Sequence, residues 1–197
     1  METRSGVWWC TNCQIPLLTS TCEACGFEAG KPLAKDLVPV FSEEITLLRE
    51  RLGFEQLPEN AGDFYLWSAG SSYYHCGKRV ASITYKSPGT PTLRRHGAEM
   101  FTSDNRSRDS EVTIDLMARA NRHTLDALAF RSRAFVREAI ARFPHHSPLV
   151  AFSGGKDSVA ASHIVRCAIG SPSILHVFSD TSLEALTCSP SSVPPVV

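Results

Sequence analysis

The sequence predicts a mixed α/β protein in three parts: a small cysteine-rich module, a small α+β module, and a domain built on a parallel sheet. Three observations lead to this prediction. Two CxxC pairs lie near the N-terminus, alternating apolar and polar residues follow in the middle, and an apolar run later meets two glycines before a helical pattern. The 197 residues, 43% of them hydrophobic, suffice for one medium domain or two small ones.

Charge and composition exclude few functions. Lys plus Arg and Asp plus Glu number 20 each, so the chain as a whole lacks the basic surplus of many nucleic-acid-binding proteins. The first residues lack the apolar core of a signal peptide, and no apolar run is long enough to cross a bilayer. We therefore expect a cytoplasmic protein without a membrane partner, whose oligomeric state the sequence does not specify.

The cysteine-rich module, residues 1–30, has two CxxC pairs separated by eight residues. Each pair can bend around one ion, and two pairs supply four thiolates in the tetrahedral arrangement that structural zinc prefers. A segment this short cannot bury its own core, so metal binding would supply most of its folding energy. The module resembles a zinc ribbon, with a redox-active dithiol or an iron–sulfur cluster as alternatives. The predicted Zn²⁺ ligands are Cys10, Cys13, Cys22 and Cys25.

Residues 40–87 are predicted to form the small α+β module. A helical pattern of apolar residues begins after Ser42, the expected N-cap, and stops at Gly53. From residue 63 the period changes to that of strands, with a hairpin turn at Gly77. The pattern Tyr73-Tyr74-x-x-Gly77-Lys78-Arg79-Val80 resembles small PUA-like β-modules.

The tyrosines of this hairpin allow two interpretations. Beside Lys78 and Arg79 they could stack on RNA bases and pair with phosphates. Alternatively, the rings cover a small sheet while the charges lie in solvent, and we favour this second interpretation.

Residues 88–110 are rich in proline, glycine and polar residues, and they are predicted to be a linker. A long helical pattern then runs to about Phe143, with an expected break near Asn121 or Arg131. Its many arginines are expected to form a solvated face rather than the border of a nucleotide site. The residues predicted on its buried side are Leu116, Ala120, Leu125, Leu128, Phe135, Val136 and Ile140.

The strongest functional signal lies at residues 153–158. The apolar run 149–152 enters two glycines and a helical pattern follows at once, which places the glycines at a strand-to-helix turn. Backbone N–H groups at the start of a helix lack intrahelical partners, and glycines let an anion approach them without meeting a Cβ. Hydroxyls, a lysine and a carboxylate able to hold Mg²⁺ complete a predicted phosphate site. It consists of Ser153, Gly154, Gly155, Lys156, Asp157 and Ser158.

A second strand pattern, residues 174–178, leads into Asp180 and Thr181. Two parallel strands joined through a helix place both following loops at the carboxyl edge of the sheet. We therefore expect Asp180 and Thr181 to line the same crevice as residues 153–158.

The hexapeptide at 153–158 resembles the PP-loop of the ATP pyrophosphatase superfamily, and it differs from a Walker A loop because Asp157 follows Lys156. With the later Asp-Thr-x-Leu-Glu at 180–184, it is similar to the phosphoadenosine phosphosulfate (PAPS) reductase family, some of whose members have an N-terminal zinc ribbon. The resemblance covers residues 111–184 and implies a partial adenine-nucleotide α-hydrolase-like domain with a Rossmann-like parallel sheet. It implies ATP or a PAPS-like nucleotide with Mg²⁺, catalytic roles for Lys156 and Asp157, and Asp180 and Thr181 beside the adenylyl group.

Three functions remain open at this point. The first is cleavage of ATP between its α and β phosphates, or sulfur transfer from a sulfur donor, by a full-length form. The second is a tRNA-thiolating PP-loop enzyme that adenylates a base, and the third is a non-catalytic zinc-ribbon binding protein. Residues 185–197 form a Pro/Ser/Val tail that we expect to be disordered, so we expect a domain truncated at its C-terminus and inactive in this form.

Overall fold

The computed structural model describes residues 6–55, 57–58, 64–85, 91–97, 114–171 and 173–178. Within these ranges the chain has four helices and nine strands, and the predicted mixed α/β character is confirmed. The chain divides into two compact units, Met1–Thr124 and Leu125–Val197, each of which is described by itself. The predicted tail lies outside the described residues, as does most of the predicted linker 88–110.

The first unit begins with a two-stranded antiparallel ribbon. Strand β1 (Trp8–Cys10) pairs with β2 (Ile15–Leu17), and Cys10 lies opposite Ile15. The turn between them brings Gln14 into a positive φ of 57°. The side chains of Ile15 and Leu17 are fully buried, so this short hairpin supplies the aliphatic part of the core of the cysteine-rich module.

A five-stranded antiparallel sheet follows in the same unit. Its strands are β3 (Val38–Val40), β4 (Leu66–Ala69), β5 (Ser72–His75), β6 (Lys78–Thr84) and β7 (Thr92–Arg95), in that spatial order. The predicted hairpin between β5 and β6 is confirmed. Strand β7, however, lies within the segment predicted as a linker, so the sheet extends beyond the predicted end of the module. Strand β7 was missed because its sequence, Thr-Leu-Arg-Arg, has one apolar residue and therefore no alternation of apolar and polar residues.

Helix α1 (Ser42–Leu52) lies between β3 and β4 in the chain and supplies Ile45 and Leu48 to the core. Its N-cap is Phe41 rather than the predicted Ser42, whose hydroxyl instead donates to Glu43 Oε2 at 3.1 Å. The predicted stop is confirmed, because Gly53 takes a left-handed conformation with φ of 67°. The buried cluster between helix and sheet comprises Val40, Ile45, Leu48, Phe54, Leu57, Leu66, Tyr73, Val80 and Ala81.

One polar group is tied into this core. The Tyr73 hydroxyl donates to Glu44 Oε1 of α1 at 2.9 Å. Burial, followed by this hydrogen bond and the charge of Glu44, raises the pKa of Tyr73 above its ordinary value. The hydrogen bond therefore joins α1 to β5 while satisfying the only polar atom of the Tyr73 side chain.

The long helical pattern divides into α2 (Ile114–Ala120) and α3 (Arg122–Arg142), so of the two predicted break points Asn121 is confirmed, whereas α3 continues through Arg131. The predicted buried side of α3 is wrong. None of its residues is buried, and Leu128 and Phe135 are 47% and 72% exposed. Within the described part of the chain, too little structure packs over this face to cover the stripe that the periodicity predicted.

The second unit contains the predicted strand, loop, helix and strand. Strand β8 (Leu149–Ala151) leads to α4 (Lys156–Ile169), and β9 (Leu175–Val177) pairs with β8 in parallel. This pair is the extent of parallel pairing among the described residues, so a Rossmann-like domain stays a prediction. None of the helices in the described ranges is both long and apolar enough to cross a bilayer.

The indole ring of Trp9 leaves no room for a side chain at Gly77 in the β5–β6 hairpin. Gly77 has φ of 73°, and a Cβ added there would lie 2.4 Å from Trp9 Cδ1, whereas Gly70, with φ of 56°, has open space around it. We expect Gly70→Ala to cost about 1 kcal/mol of unfolding free energy from backbone strain alone. Gly77→Ala should cost roughly 1–3 kcal/mol more, because the methyl group displaces the indole. Urea unfolding of both variants measures the difference, and equal losses would contradict the contact.

Candidate metal centre and phosphate loop

The four predicted metal ligands come together in the cysteine-rich module. The sulfur atoms of Cys10, Cys13, Cys22 and Cys25 all lie within 4.8 Å of one another. The Sγ atoms of Cys10 and Cys25 are 3.5 Å apart, and those of Cys13 and Cys22 are 3.9 Å apart. A tetrahedron with zinc–sulfur bonds of about 2.3 Å has edges of about 3.8 Å. The spacing therefore fits a single metal ion such as Zn²⁺.

Local turns aim these sulfurs at one point. Cys10 ends β1, and its Sγ accepts the backbone N–H of Cys13 at 3.3 Å. In the second pair, the Gly26 N–H donates to the Cys22 carbonyl at 2.7 Å, and Gly26 has a positive φ of 74°. Each CxxC pair therefore lies in a tight turn of its own.

Their surroundings shift the pKa values of three of these cysteine thiols. Burial is the main cause that raises the pKa of Cys10, to about 11, and it also raises the pKa of Cys13. At Cys25 burial opposes ionisation, but the Phe27 backbone hydrogen bond and the neighbouring thiols outweigh it and lower the pKa to about 7. The thiols of Cys10 and Cys13 would thus keep their protons at neutral pH. A dication bound by the four sulfurs would stabilise the thiolates instead.

The break between α2 and α3 lies directly against this module. The Asn121 side chain, 6% exposed, accepts the Leu18 N–H at 2.7 Å through Oδ1. Its Nδ2 donates to the carbonyl of Pro16 at 3.1 Å and to that of Met117 at 2.9 Å. Ala120, fully buried, packs with the ribbon residues. Sequence reasoning identified Asn121 only as a helix breaker and missed its role in joining the helix to the ribbon.

The second cysteine turn also forms hydrogen bonds with the end of α2 and the start of α3. The Glu23 N–H donates to the Ala120 carbonyl at 3.1 Å, and its carboxylate accepts the His123 N–H at 3.0 and 3.1 Å. A carboxylate at the start of α3 satisfies an unpaired N–H and complements the helix dipole. Because Glu23 lies between Cys22 and Cys25, the turn that supplies two metal ligands also caps α3.

The predicted phosphate loop lies between β8 and α4. Gly154 has φ of 78°, which requires glycine, and Gly155 is the N-cap of α4 in an extended conformation. The Ser158 hydroxyl donates to the Gly155 carbonyl at 2.9 Å, and the Ser153 hydroxyl donates to Ser158 Oγ at 3.3 Å. These bonds close the loop across its own ends.

The charged pair of the loop lies in solvent. Lys156 Nζ is 3.0 Å from both carboxylate oxygens of Asp157, and the two side chains are 88% and 90% exposed. Since this ion pair is exposed, it contributes little to stability and can be exchanged for a ligand at small cost. Asp180 and Thr181 lie outside the described residues, so the predicted adenylyl side of the crevice stays a prediction.

A hydrogen-bonded histidine, His176, joins β9 to α4. His176 Nδ1 donates to the Ile174 carbonyl at 3.0 Å, which leaves Nε2 to accept the hydroxyl of Ser162 at 2.7 Å. The ring also meets Phe152 edge-on, with centroids 5.5 Å apart. Sequence reasoning missed this link between α4 and β9, because it joins residues whose patterns describe only their own elements.

No protein-family model, curated protein or solved structure matches this chain.

We expect the chain to bind about one zinc ion, and Cys10→Ser with Cys22→Ser to abolish that binding, since one ligand is lost from each turn. Elemental analysis of the purified protein measures the metal. Cys167→Ser, an exposed cysteine on α4, is the matched control and should retain the ion. Full metal content in the double variant would refute the four-cysteine site.

Asn121→Ala should lower the unfolding free energy of the metal-loaded protein by about 2–3 kcal/mol, because it removes three hydrogen bonds and leaves partly buried backbone groups without this partner. Asn12→Ala makes the same truncation at an exposed position and should have little effect. Chemical denaturation measures both variants. A similar, small change in the two would show that Asn121 does not hold the helix junction.

Proposed function

We propose that the chain binds an adenine nucleotide, ATP or a PAPS-like nucleotide, with its phosphates at residues 153–158. The observation that supports this is the β8–loop–α4–β9 unit, in which an exposed glycine loop joins β8 to the N-terminus of α4 and β9 pairs with β8 in parallel. In open α/β sheets, ligands bind at the carboxyl ends of the strands, which is where this loop lies.

The loop offers an anion several donors. Gly155 has no side chain to cap α4, and within the described residues no other side chain caps it, so N–H groups of the first turn remain to meet phosphate oxygens. The helix dipole adds partial positive charge at the same place. In this proposal Lys156 leaves Asp157 to contact a phosphate, and Asp157 is free to hold Mg²⁺.

By its resemblance to PP-loop proteins, the protein would cleave ATP between the α and β phosphates or carry out sulfur-transfer chemistry of the PAPS reductase family. The residues of the loop would then neutralise the charge that collects on the departing group, with Lys156 and Asp157 nearest to it. Mg²⁺ would share this electrostatic load when bound.

We propose a structural role for the metal in the cysteine-rich module. All four coordination positions of a tetrahedral ion would be filled by protein sulfur, which leaves none for a substrate. A cytoplasmic location would keep these thiols reduced and able to bind zinc.

Gly155→Ala gives a sharp test of the nucleotide proposal. A Cβ at this position would lie 3.6 Å from Ser153 Oγ, an ordinary contact, and the extended backbone of Gly155 accepts alanine. We therefore expect unchanged stability but loss of the ATP–Mg²⁺ thermal shift, because the methyl group occupies space that a phosphate would take. Lys156→Ala should reduce the shift as well.

The matched control is Gly170→Ala, at the opposite end of α4, which should destabilise the protein slightly and retain the shift. Binding would be read independently by isothermal titration calorimetry. If the folded wild-type chain gives no shift and no heat with ATP or a PAPS-like nucleotide, the proposal fails.

A further inference from the structure

One part of the chain has a charge imbalance that the total conceals. Residues 64–97 contain five lysines and arginines and no aspartate or glutamate, although the whole chain is balanced at 20 of each sign. These residues contribute strands β4 to β7 of the five-stranded sheet. The described part of this sheet therefore carries a local positive charge without compensating carboxylates of its own strands.

The strand register places some of this charge on the face of the sheet away from the buried cluster. Ser82 of β6 pairs with Arg94 of β7, and Tyr74 of β5 pairs with Arg79 of β6. A register shift at Tyr73 and Tyr74 leaves Val80 as an extra residue in β6. Because of this bulge, Val80 and Ala81 both reach the core, while Arg79 and Arg94 share the outer face and are exposed.

The neighbouring arginine serves a different purpose. Arg95 pairs with Ala81 on the core side, and its guanidinium donates to the Gly53 carbonyl at the end of α1. Arg79 and Arg94 have no ion-pair partner within the described residues. Arg95 therefore has a structural role, whereas its neighbour Arg94, like Arg79, faces solvent.

A histidine completes the outer cluster. His96 Nε2 lies 2.9 Å from Ser82 Oγ, which places the ring beside the two arginines. Partial desolvation and then the charges of Arg79 and Arg94 lower the pKa of His96. The three groups are thus close enough for their fields to add, and an anion bound among them would relieve the repulsion.

Among the described residues, aromatic side chains cover the outer face at the Trp67 end. Trp67 of β4 is 3% exposed, since Phe64 stacks on it and Trp9 of the ribbon meets it edge-on with centroids 6.1 Å apart. Tyr74, next along this face, remains partly exposed opposite Arg79. The open area therefore presents an aromatic ring beside Arg79, with Arg94 further along the same face.

We propose that this open face, defined by Tyr74, Arg79, Ser82, Arg94 and His96, binds single-stranded nucleic acid. Arginine pairs with phosphate oxygens in a bidentate manner, and an aromatic ring on a sheet surface stacks on an unpaired base. Arg79 and Arg94 lie on adjacent strands about 10 Å apart along the strand direction, so they would contact phosphates of different nucleotides. This surface is separate from the nucleotide loop and does not depend on it.

Fluorescence anisotropy with labelled 12-nucleotide RNA and DNA strands tests this proposal on the full zinc-loaded chain. Arg79→Ala with Arg94→Ala should weaken binding about tenfold or more at 0.1 M salt and make the salt dependence shallower, because two phosphate contacts are lost. Tyr74→Ala should weaken binding about tenfold, and Tyr74→Phe should restore it, since phenylalanine retains a stacking surface.

The matched control is Lys35→Ala with Arg51→Ala, two exposed cations of the first unit outside the outer face, which should leave the affinity unchanged. Circular dichroism establishes that each variant is folded. A folded wild-type chain that binds neither strand at low salt overturns the proposal, as does equal loss in the control. Equal or tighter binding of the matching duplex, or of anionic phosphatidylserine vesicles with the same arginine dependence, overturns it too.

Discussion

Four thiols lie within 4.8 Å of one another in the cysteine-rich module, and Cys10 and Cys22 are fully buried. Ionising several of them without a cation would place like charges together away from water. Within the described residues, the fully buried part of this cluster consists of Ile15, Leu17, Ala120 and two cysteines, and partly buried apolar side chains pack against it. A metal ion held by the four sulfurs would compensate this charge and add its binding free energy to the ribbon.

The consequences extend beyond the ligands. Glu23, within the second cysteine turn, bonds the last carbonyl of α2 through its N–H and accepts the His123 N–H in the first turn of α3, and Asn121 donates to the Pro16 carbonyl of β2. A short helix such as α2 is marginal alone and gains order from these contacts.

The sequence revealed the elements whose signal is local. The spacing of the two CxxC pairs predicts that their four sulfurs come together, as they do. The strand–Gly–Gly–helix pattern at 149–169 likewise has the predicted order, and its strand pairs in parallel with the next one. Features that depend on distant partners were not predictable. Asn121 contacts residues more than 100 positions away, and no local pattern reveals that pairing. Strand β7 is equally non-local, since Thr92–Arg95 becomes a strand by pairing with β6.

Hydrophobic periodicity misled the interpretation of α3 for a related reason. A stripe of apolar residues predicts which face of a helix can be buried, but burial also needs a partner surface. In the second unit, the described residues supply such a surface only in part. A cavity of about 520 Å³ between α3 and α4 is lined largely by apolar side chains that include Leu128, Phe135 and Ile164.

The phosphate loop therefore depends on few contacts for its position. Buried side chains of the described part of the second unit are limited to Val150, Ser162 and Ala168. Directional bonds supplement this small core: Ser162 bonds His176, and Arg137 Nε donates to the Ala168 carbonyl at 3.0 Å. A ligand that bound the N-terminus of α4 in the folded state would add its binding free energy to the stability of that state. With so few buried side chains in the described part of this unit, the nucleotide binding that we propose would therefore supply a measurable share of its stability.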